Sequence, residues 1–262
     1  MPYPRLETRV IRTWGGVLLA ALAALSLAAC AGRGSDAQND TAAGIRAAVA
    51  DPDRSDADRK TDERRHPEQL LAFIGVRPGM KILDVGAGGG YSTELLARAA
   101  GPTGTVYAQD EPGDGSGRAA KAFAARMEKA VMRNVTPVRR SFDDPVPPGV
   151  GGLDVITFLF YYHDTAYMQV DRAAMDRRLY EALKPGGVLV IADHSARPGE
   201  GTKVVKSLHR IEEAVVVREL EAAGFRLAAT ADFLRHPEDP RTGIVFRSET
   251  PVDEFVLKFI KP

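Results

Sequence analysis

The chain predicts an α/β fold, a largely parallel sheet with helices on both faces, and three observations carry that expectation. Residues 82–85, ILDV, form a short apolar strand that runs into glycines at 86, 88, 89 and 90 before Ser92-Thr93-Glu94 opens a helix. Residues 153–162, LDVITFLFYY, are a nearly unbroken apolar run, as a strand buried on both faces requires. Strand and helix patterns alternate along most of the remainder, which makes successive strands parallel.

In chain order, HPEQLLAFIGVRPGM predicts a covering helix begun near Pro67, with Leu70, Leu71, Phe73 and Ile74 inward and a Pro-Gly turn before the first strand. The helix after the glycines runs through Leu95, Leu96 and Ala99 and stops at Gly101-Pro102. Residues 104–111, GTVYAQDE, read as a second strand ending in Asp110, 20 residues after Gly90. Residues 118–133 read as a helix, and VTPVRR as a third strand whose proline suits a sheet edge. After the fourth strand, a helix over residues 171–183 leads through a Pro-Gly-Gly turn to a fifth strand ending in Asp193-His194. LHRIEEAVVVRELEAAG predicts one helix carrying His209.

The amino-terminal part reads differently. Arg5, Arg9 and Arg12 precede a Leu/Ala run over 17–28, so residues 1–29 are expected to be a secretory signal peptide. LAAC resembles the bacterial lipobox, which implies lipidation of Cys30, the only cysteine in the chain. Residues 30–60 are small and polar with clustered Asp and Arg, and are expected to form a flexible tether, with room for a short helix near Ile45 to Ala50. Residues 61–262 are then one domain. Basic and acidic residues balance at 35 each, so no nucleic-acid face is implied. No internal repeat, CxxC, HExxH or phosphate-binding Walker loop occurs.

A dinucleotide fingerprint would place its third glycine where Tyr91 stands. The G-x-G-x-G spacing and the acidic strand end instead resemble motif I of class I S-adenosylmethionine-dependent methyltransferases. LKPGGVLVIAD (183–193) resembles that family's helix, turn and fifth strand, while AAGFRLAA and DEFVLKFIKP resemble its last helix, sixth strand and final antiparallel strand. The resemblance covers roughly residues 60–262. RHPEQLLAF, YYHD, ADHSA, LHRI and FVLKFIKP resemble a group of predicted bacterial methyltransferases, without supplying a substrate. The resemblance implies a Rossmann-like seven-stranded sheet in the order 3-2-1-4-5-7-6, with strand seven antiparallel. It implies S-adenosyl-L-methionine as cofactor.

Ligands of open α/β sheets sit outside the carboxyl ends of the strands, where the strand order reverses. Asp84 is expected to bind the methionyl ammonium or to orient the glycine loop. Gly86, Ala87, Gly88 and Gly90 let backbone approach the cofactor. Asp110 is assigned to the ribose hydroxyls, with Glu111 as its rival. By resemblance, Phe142 and Asp143 stand beside the adenine, with Asp144 or a solvated acidic turn as alternatives. His163 is a candidate general base, and Asp164 orients it or binds substrate; alternatively, the pair satisfies local backbone amides. Asp193 and His194 border the reacting side, and His209 either caps the substrate side or is structural. His163, Asp193 and His194 loosely resemble ligands, but no pair has helical i, i+4 spacing, so no metal is expected.

These readings point to a small-molecule methyltransferase anchored in the cell envelope through Cys30, on the periplasmic side. Ala31 rather than Asp after the cysteine favours the outer membrane, by resemblance to the rule for enteric lipoproteins. The N-P-P-Y tetrapeptide of amino-group methyltransferases acting on nucleic acid or protein is absent after the fourth strand. The alternative is a non-catalytic envelope binding module, because S-adenosylmethionine is made in the cytoplasm.

Overall fold

The structure, a computed structural model, describes residues 41–262; the signal peptide expected over 1–29 and the lipidation expected at Cys30 fall outside the described residues. Seven strands form one sheet: β1 (Lys81–Val85), β2 (Thr105–Asp110), β3 (Val135–Arg139), β4 (Leu153–Leu159), β5 (Leu183–His194), β6 (Arg226–Ala231) and β7 (Glu254–Ile260). Their order is β3-β2-β1-β4-β5-β7-β6. β7 runs antiparallel to β5 and β6, and the other pairs are parallel. This is the order and sense that the sequence resemblance implied.

Alternation along each strand divides the interior in two. Ile82, Val155 and Val256 belong to one apolar cluster, and their neighbours Leu83, Ile156 and Leu257 to the other, so each face needs its own cover. The helices supply it: residues 41–50 (α1), Asp56–Arg65 (α2), Pro67–Ile74 (α3), Tyr91–Ala100 (α4), Arg118–Met127 (α5), Tyr162–Thr165 (α6), Arg172–Ala182 (α7), Val205–Leu208 (α8) and Glu213–Ala222 (α9). Pro67 starts α3, where its missing N–H costs nothing, and left-handed Gly75 ends it by donating to the Leu71 carbonyl. Among the described residues, no helix is long and apolar enough to cross a membrane.

Three sequence expectations need correction. The flexible tether over 30–60 does not hold beyond residue 40, because 56–60 and 41–50, the latter including the short helix allowed near Ile45 to Ala50, are helical and Gly44–Pro262 forms one compact unit. Ile45 and Ala48 are buried, as are the charged Arg54 and Asp58. The charges read as solvated are paired: Arg54 grips Asp62 through both terminal nitrogens at 2.6 and 2.7 Å, and Arg126 of α5 grips Asp58 at 2.8 and 2.8 Å. The helix expected over 118–133 is α5 followed by a 3-10 turn at Ala130–Asn134. The single helix expected to carry His209 is broken at that residue, which takes φ 53 and closes α8, while α9 starts later.

One buried acid makes stability depend on pH. Asp176 of α7 is 1% exposed and accepts from the Tyr162 hydroxyl at 3.0 Å, while its other oxygen has no hydrogen-bond partner. Burial pushes its pKa up from 3.8 to about 7, only partly opposed by the Tyr162 bond. A carboxyl whose folded pKa lies above its unfolded value stabilises fully when protonated and loses that contribution as pH rises toward 7. Asp176→Asn should therefore match the parent near pH 4. By pH 8 it should be more stable by roughly 2–4 kcal/mol, measured by urea unfolding across that range.

Candidate functional site

The carboxyl ends of β1, β2, β4 and β5 share one rim because all four strands are parallel and β1 and β4 are neighbours with opposite onward connections. On the β1 side, Asp84 stands between Ala108 of β2 and Thr157 of β4. It is 2% exposed, and its oxygens accept from the Thr93 hydroxyl at 2.6 Å and the Thr157 hydroxyl at 2.8 Å. The first bond ties the strand end to α4 across the glycine loop. Burial lifts its pKa to about 6, and among the described residues no cation pairs with it.

Gly86, Gly88 and Gly90 all take positive φ, at 70, 53 and 82°. A Cβ on Gly90 would lie 2.9 Å from the Phe123 ring, and one on Gly86 would lie 3.1 Å from Tyr161, so the loop is packed from both sides. Gln109 fixes it further and is a residue that sequence reasoning missed. Its side-chain carbonyl accepts from Gly86 N–H at 3.1 Å, its amide donates to the Arg140 carbonyl at 2.6 Å, and its backbone carbonyl accepts from Ala87 N–H at 2.8 Å. A polar glutamine in the strand pattern, directly before the acidic strand end, was the available signal.

The rival acids at the end of β2 separate. Glu111 accepts the Phe142 backbone N–H at 2.7 Å and so holds the next loop. Asp110 keeps its carboxylate at the surface, 22% exposed, 3.3 Å from Arg139. Phe142 and Asp143, the pair expected beside the adenine, both have partners within the chain. The Phe142 ring is fully buried, stacked on Phe158 and Tyr161, and Asp143 accepts the Asp171 N–H at 2.7 Å at the entrance to α7.

A cavity of about 330 Å³ lies against this loop, lined among others by Asp84, Gly86, Tyr91, Arg65 and Tyr161. Arg65 arrives from α2, the segment whose start the sequence assigned to a tether. Its guanidinium lies 3.3 Å above the Phe160 ring, and its Nε has no hydrogen-bond partner. Burial and the neighbouring Arg64 lower its pKa to about 9, so it remains a cation at neutral pH. α2 is held over the loop by Tyr91, which donates to Asp62 at 2.6 Å, and by Arg126, which bonds both Asp58 and the Gly89 carbonyl.

The β4 and β5 ends carry a second cluster. Asp193, without solvent exposure, accepts from the His163 backbone N–H at 2.8 Å, from the His194 N–H at 2.8 Å and from His163 Nδ1 at 2.7 Å. His163 Nε2 faces Asp164 Oδ1 at 3.0 Å and His209 Nδ1 at 3.3 Å. Burial alone would depress the His163 pKa, but the Asp193 and Asp164 carboxylates outweigh it and raise it to about 10. With a carboxylate at each ring nitrogen, these neighbours favour the imidazolium form. His194 points elsewhere, with Nδ1 3.0 Å from Glu254 of β7 and its ring beside Phe160. Thus His163, Asp164 and Asp193 come together, His194 borders them, and His209 joins from α8.

Comparison with known proteins agrees with the fold. The family profile of protein-L-isoaspartate(D-aspartate) O-methyltransferase matches residues 66–133. A ubiquinone/menaquinone biosynthesis C-methyltransferase, UbiE, from Cupriavidus taiwanensis is 28% identical over 169 residues, covering 63% of this chain and 61% of the relative. The chain thus spans about three fifths of that protein's length. An S-adenosylmethionine-dependent methyltransferase from Aquifex aeolicus superposes with a TM-score of 0.56 at 20% identity, over 79% of this chain and 97% of the other. The [4+2]-cyclase SpnF superposes at 0.54 with 18% identity, over 79% and 81%. The seven-stranded sheet is therefore that of the class I methyltransferases. The presence of a cyclase among its likenesses means that the site, not the fold, must carry the functional reading.

The glycine loop gives a direct test of its packing. Gly90→Ala combines a disfavoured φ with a clash at Phe123, whereas a Cβ on Gly88 would meet nothing nearer than 3.9 Å. Gly88→Ala should cost about 1 kcal/mol from backbone strain, and Gly90→Ala roughly 2–4 kcal/mol. Thermal unfolding of the two variants should show that order.

Proposed function

We propose that the chain is an S-adenosylmethionine-dependent methyltransferase acting on a small-molecule acceptor. The observation that carries this reading is a pair of opposite, incompletely answered charges lining one cavity with the bare backbone of the glycine loop: the Asp84 carboxylate and the Arg65 guanidinium. An amino-acid zwitterion complements that pair, because its ammonium answers the buried carboxylate and its carboxylate answers the guanidinium. Asp110, free of the structural task that occupies Glu111, would accept the two ribose hydroxyls of an attached adenosine.

When bound, S-adenosylmethionine supplies a methyl group on a sulfonium, ready for direct displacement. The chain's part is chiefly orientation, which in favourable intramolecular models contributes up to about 7–11 kcal/mol. Similarity to the C-methyltransferase UbiE of Cupriavidus taiwanensis makes a carbon nucleophile worth testing beside oxygen, nitrogen and sulfur. The basic, apolar LAAC series at the amino terminus supports an envelope lipoprotein anchored through Cys30 on the periplasmic side, and Ala31 favours the outer membrane.

Asp110→Ala should weaken S-adenosylmethionine at least tenfold in calorimetry, with thermal unfolding in the absence of ligand unchanged. Unchanged affinity would move the ribose to another acid, and tight binding of NAD with none of S-adenosylmethionine would overturn the reading. Transfer is then assayed with radiolabelled cofactor against phenols, thiols, amines, carboxylic acids and envelope extracts. Cofactor binding without transfer to any of them identifies a binding module instead.

The anchor has its own test. Cells given a fatty-acid analogue should label the parent chain and not Cys30→Ser; equal labelling of the two would sink the lipoprotein proposal.

A further inference from the structure

The polar cluster at the β4 and β5 ends has a geometry that the cofactor reading does not use. Three potential ligand atoms, His163 Nε2, Asp164 Oδ1 and His209 Nδ1, form a triangle with edges of 3.0, 3.1 and 3.3 Å. They come from two places in the chain, the turn of α6 and the left-handed residue that closes α8. Donors about 2.0–2.1 Å from one ion stand about 2.9 Å apart at an octahedral edge and about 3.3–3.4 Å apart at a tetrahedral one. The observed edges span that interval.

The surroundings fit the same picture. His163 Nδ1 is committed to Asp193 at 2.7 Å, which fixes the ring and turns Nε2 toward the triangle, as a carboxylate behind a ligating imidazole does. Tyr167 hydrogen-bonds to Asp164 and steadies it from the outer side. His209 is held by its neighbour: Arg210, fully buried, bonds Asp239 at 2.7 Å and the Ser195 and Gly243 carbonyls at 3.1 and 3.0 Å. A proton between Nε2 and Asp164 serves only two of the three atoms, whereas a cation at the centre satisfies all three.

We propose that His163, Asp164 and His209 bind one divalent first-row transition cation, of the zinc, cobalt or iron(II) type. Two imidazoles and one carboxylate suit these metals and leave positions open. His163 is 3% exposed at its side chain and closes the inner side, while His209 at 20% and Asp164 at 13% leave the outer side accessible. There the exposed Phe246 and Tyr167 rings border His209, at 4.8 and 6.1 Å between centroids, and give an apolar rim to whatever reaches the ion. An oxygen or nitrogen of a small ligand would take the open position and be polarised there. The set differs from His163, Asp193 and His194, because Asp193 stands behind the ligand and His194 turns to β7.

The test is metal binding by the full-length chain, independent of methyl transfer and of every cofactor residue. Cobalt(II) titration, followed by visible ligand-field absorption and by metal content after dialysis, should show saturation at about one equivalent. Asp164→Asn and His209→Phe should weaken binding more than about 100-fold, and Asp193→Asn by about 10-fold to 100-fold. His209→Phe keeps a ring against Phe246, so the nitrogen can be removed without emptying the site; circular dichroism establishes that each variant is folded. His236→Ala, at a half-buried histidine outside the cluster, should bind as the parent does. Absence of saturable binding by the parent, or binding that persists unchanged in folded Asp164→Asn and His209→Phe, would overturn the proposal.

Discussion

Asp193 carries a carboxylate into a place with no solvent contact, and the groups it gathers decide where the loop after β4 goes. Two backbone N–H groups and one imidazole nitrogen surround it, all within 2.8 Å. A carboxylate buried without such partners would cost several kcal/mol, so the chain after β4 must turn back at once to deliver the His163 N–H and ring. Phe160 accepts φ 63 to make that turn, an outlying conformation for a bulky residue, and α6 begins at Tyr162 with Tyr161 as its N-cap. The position of Asp164, and through it of His209, follows from this one anchoring point. So does the placement of Tyr161 against Gly86, which joins the β4 loop to the glycine loop of β1.

The two halves of the rim solve the problem of buried charge differently. At β5 the acid recruits its own donors from the chain. At β1, Asp84 receives only two hydroxyl bonds, its pKa stays raised, and the nearby Arg65 guanidinium rests on an aromatic face instead of meeting an acid. The roof that brings Arg65 there is held by charge. Glu94, 1% exposed, is ringed by Arg98, Arg126 and Lys129, and Arg126 continues to Asp58 of α2. Because several partners share each charge, their desolvation is offset within one network, unlike that of an isolated exposed pair.

The sheet was legible because its information is local. Ile82 to Val85 and the apolar run of β4 each declare their element within a few residues, and the resemblance ordered the strands correctly. The acidic strand ends and the glycine loop were legible for the same reason. What failed was information that spans the chain. Asp51, Asp53, Arg54 and Asp58 look solvated in a window of 30 residues, yet their partners include Arg98 of α4 and Arg126 of α5. His209 looked like one face of a long helix, because apolar periodicity continues through a break that Arg210 imposes by pairing with Asp239. Phe142 and Asp143 were assigned by resemblance alone, and their contacts with Phe158 and the entrance to α7 could not be read from sequence.

That difference between local and long-range information also bears on how the site responds to a ligand. The β5 half is already satisfied by contacts within the chain, so a ligand there meets side chains whose positions are fixed in advance. The β1 half depends on α2 remaining over the loop, and α2 is polar, with Asp58 as its only buried residue. Its attachment rests on ion pairs and on the Tyr91 hydroxyl more than on apolar burial. A ligand that answers Asp84 and Arg65 together would bridge β1 and α2 with opposite charges, adding an attachment where the protein's own packing is weakest. Binding at this half would therefore stabilise the roof as well as the ligand, and the free energy of closing α2 and that of binding would be linked.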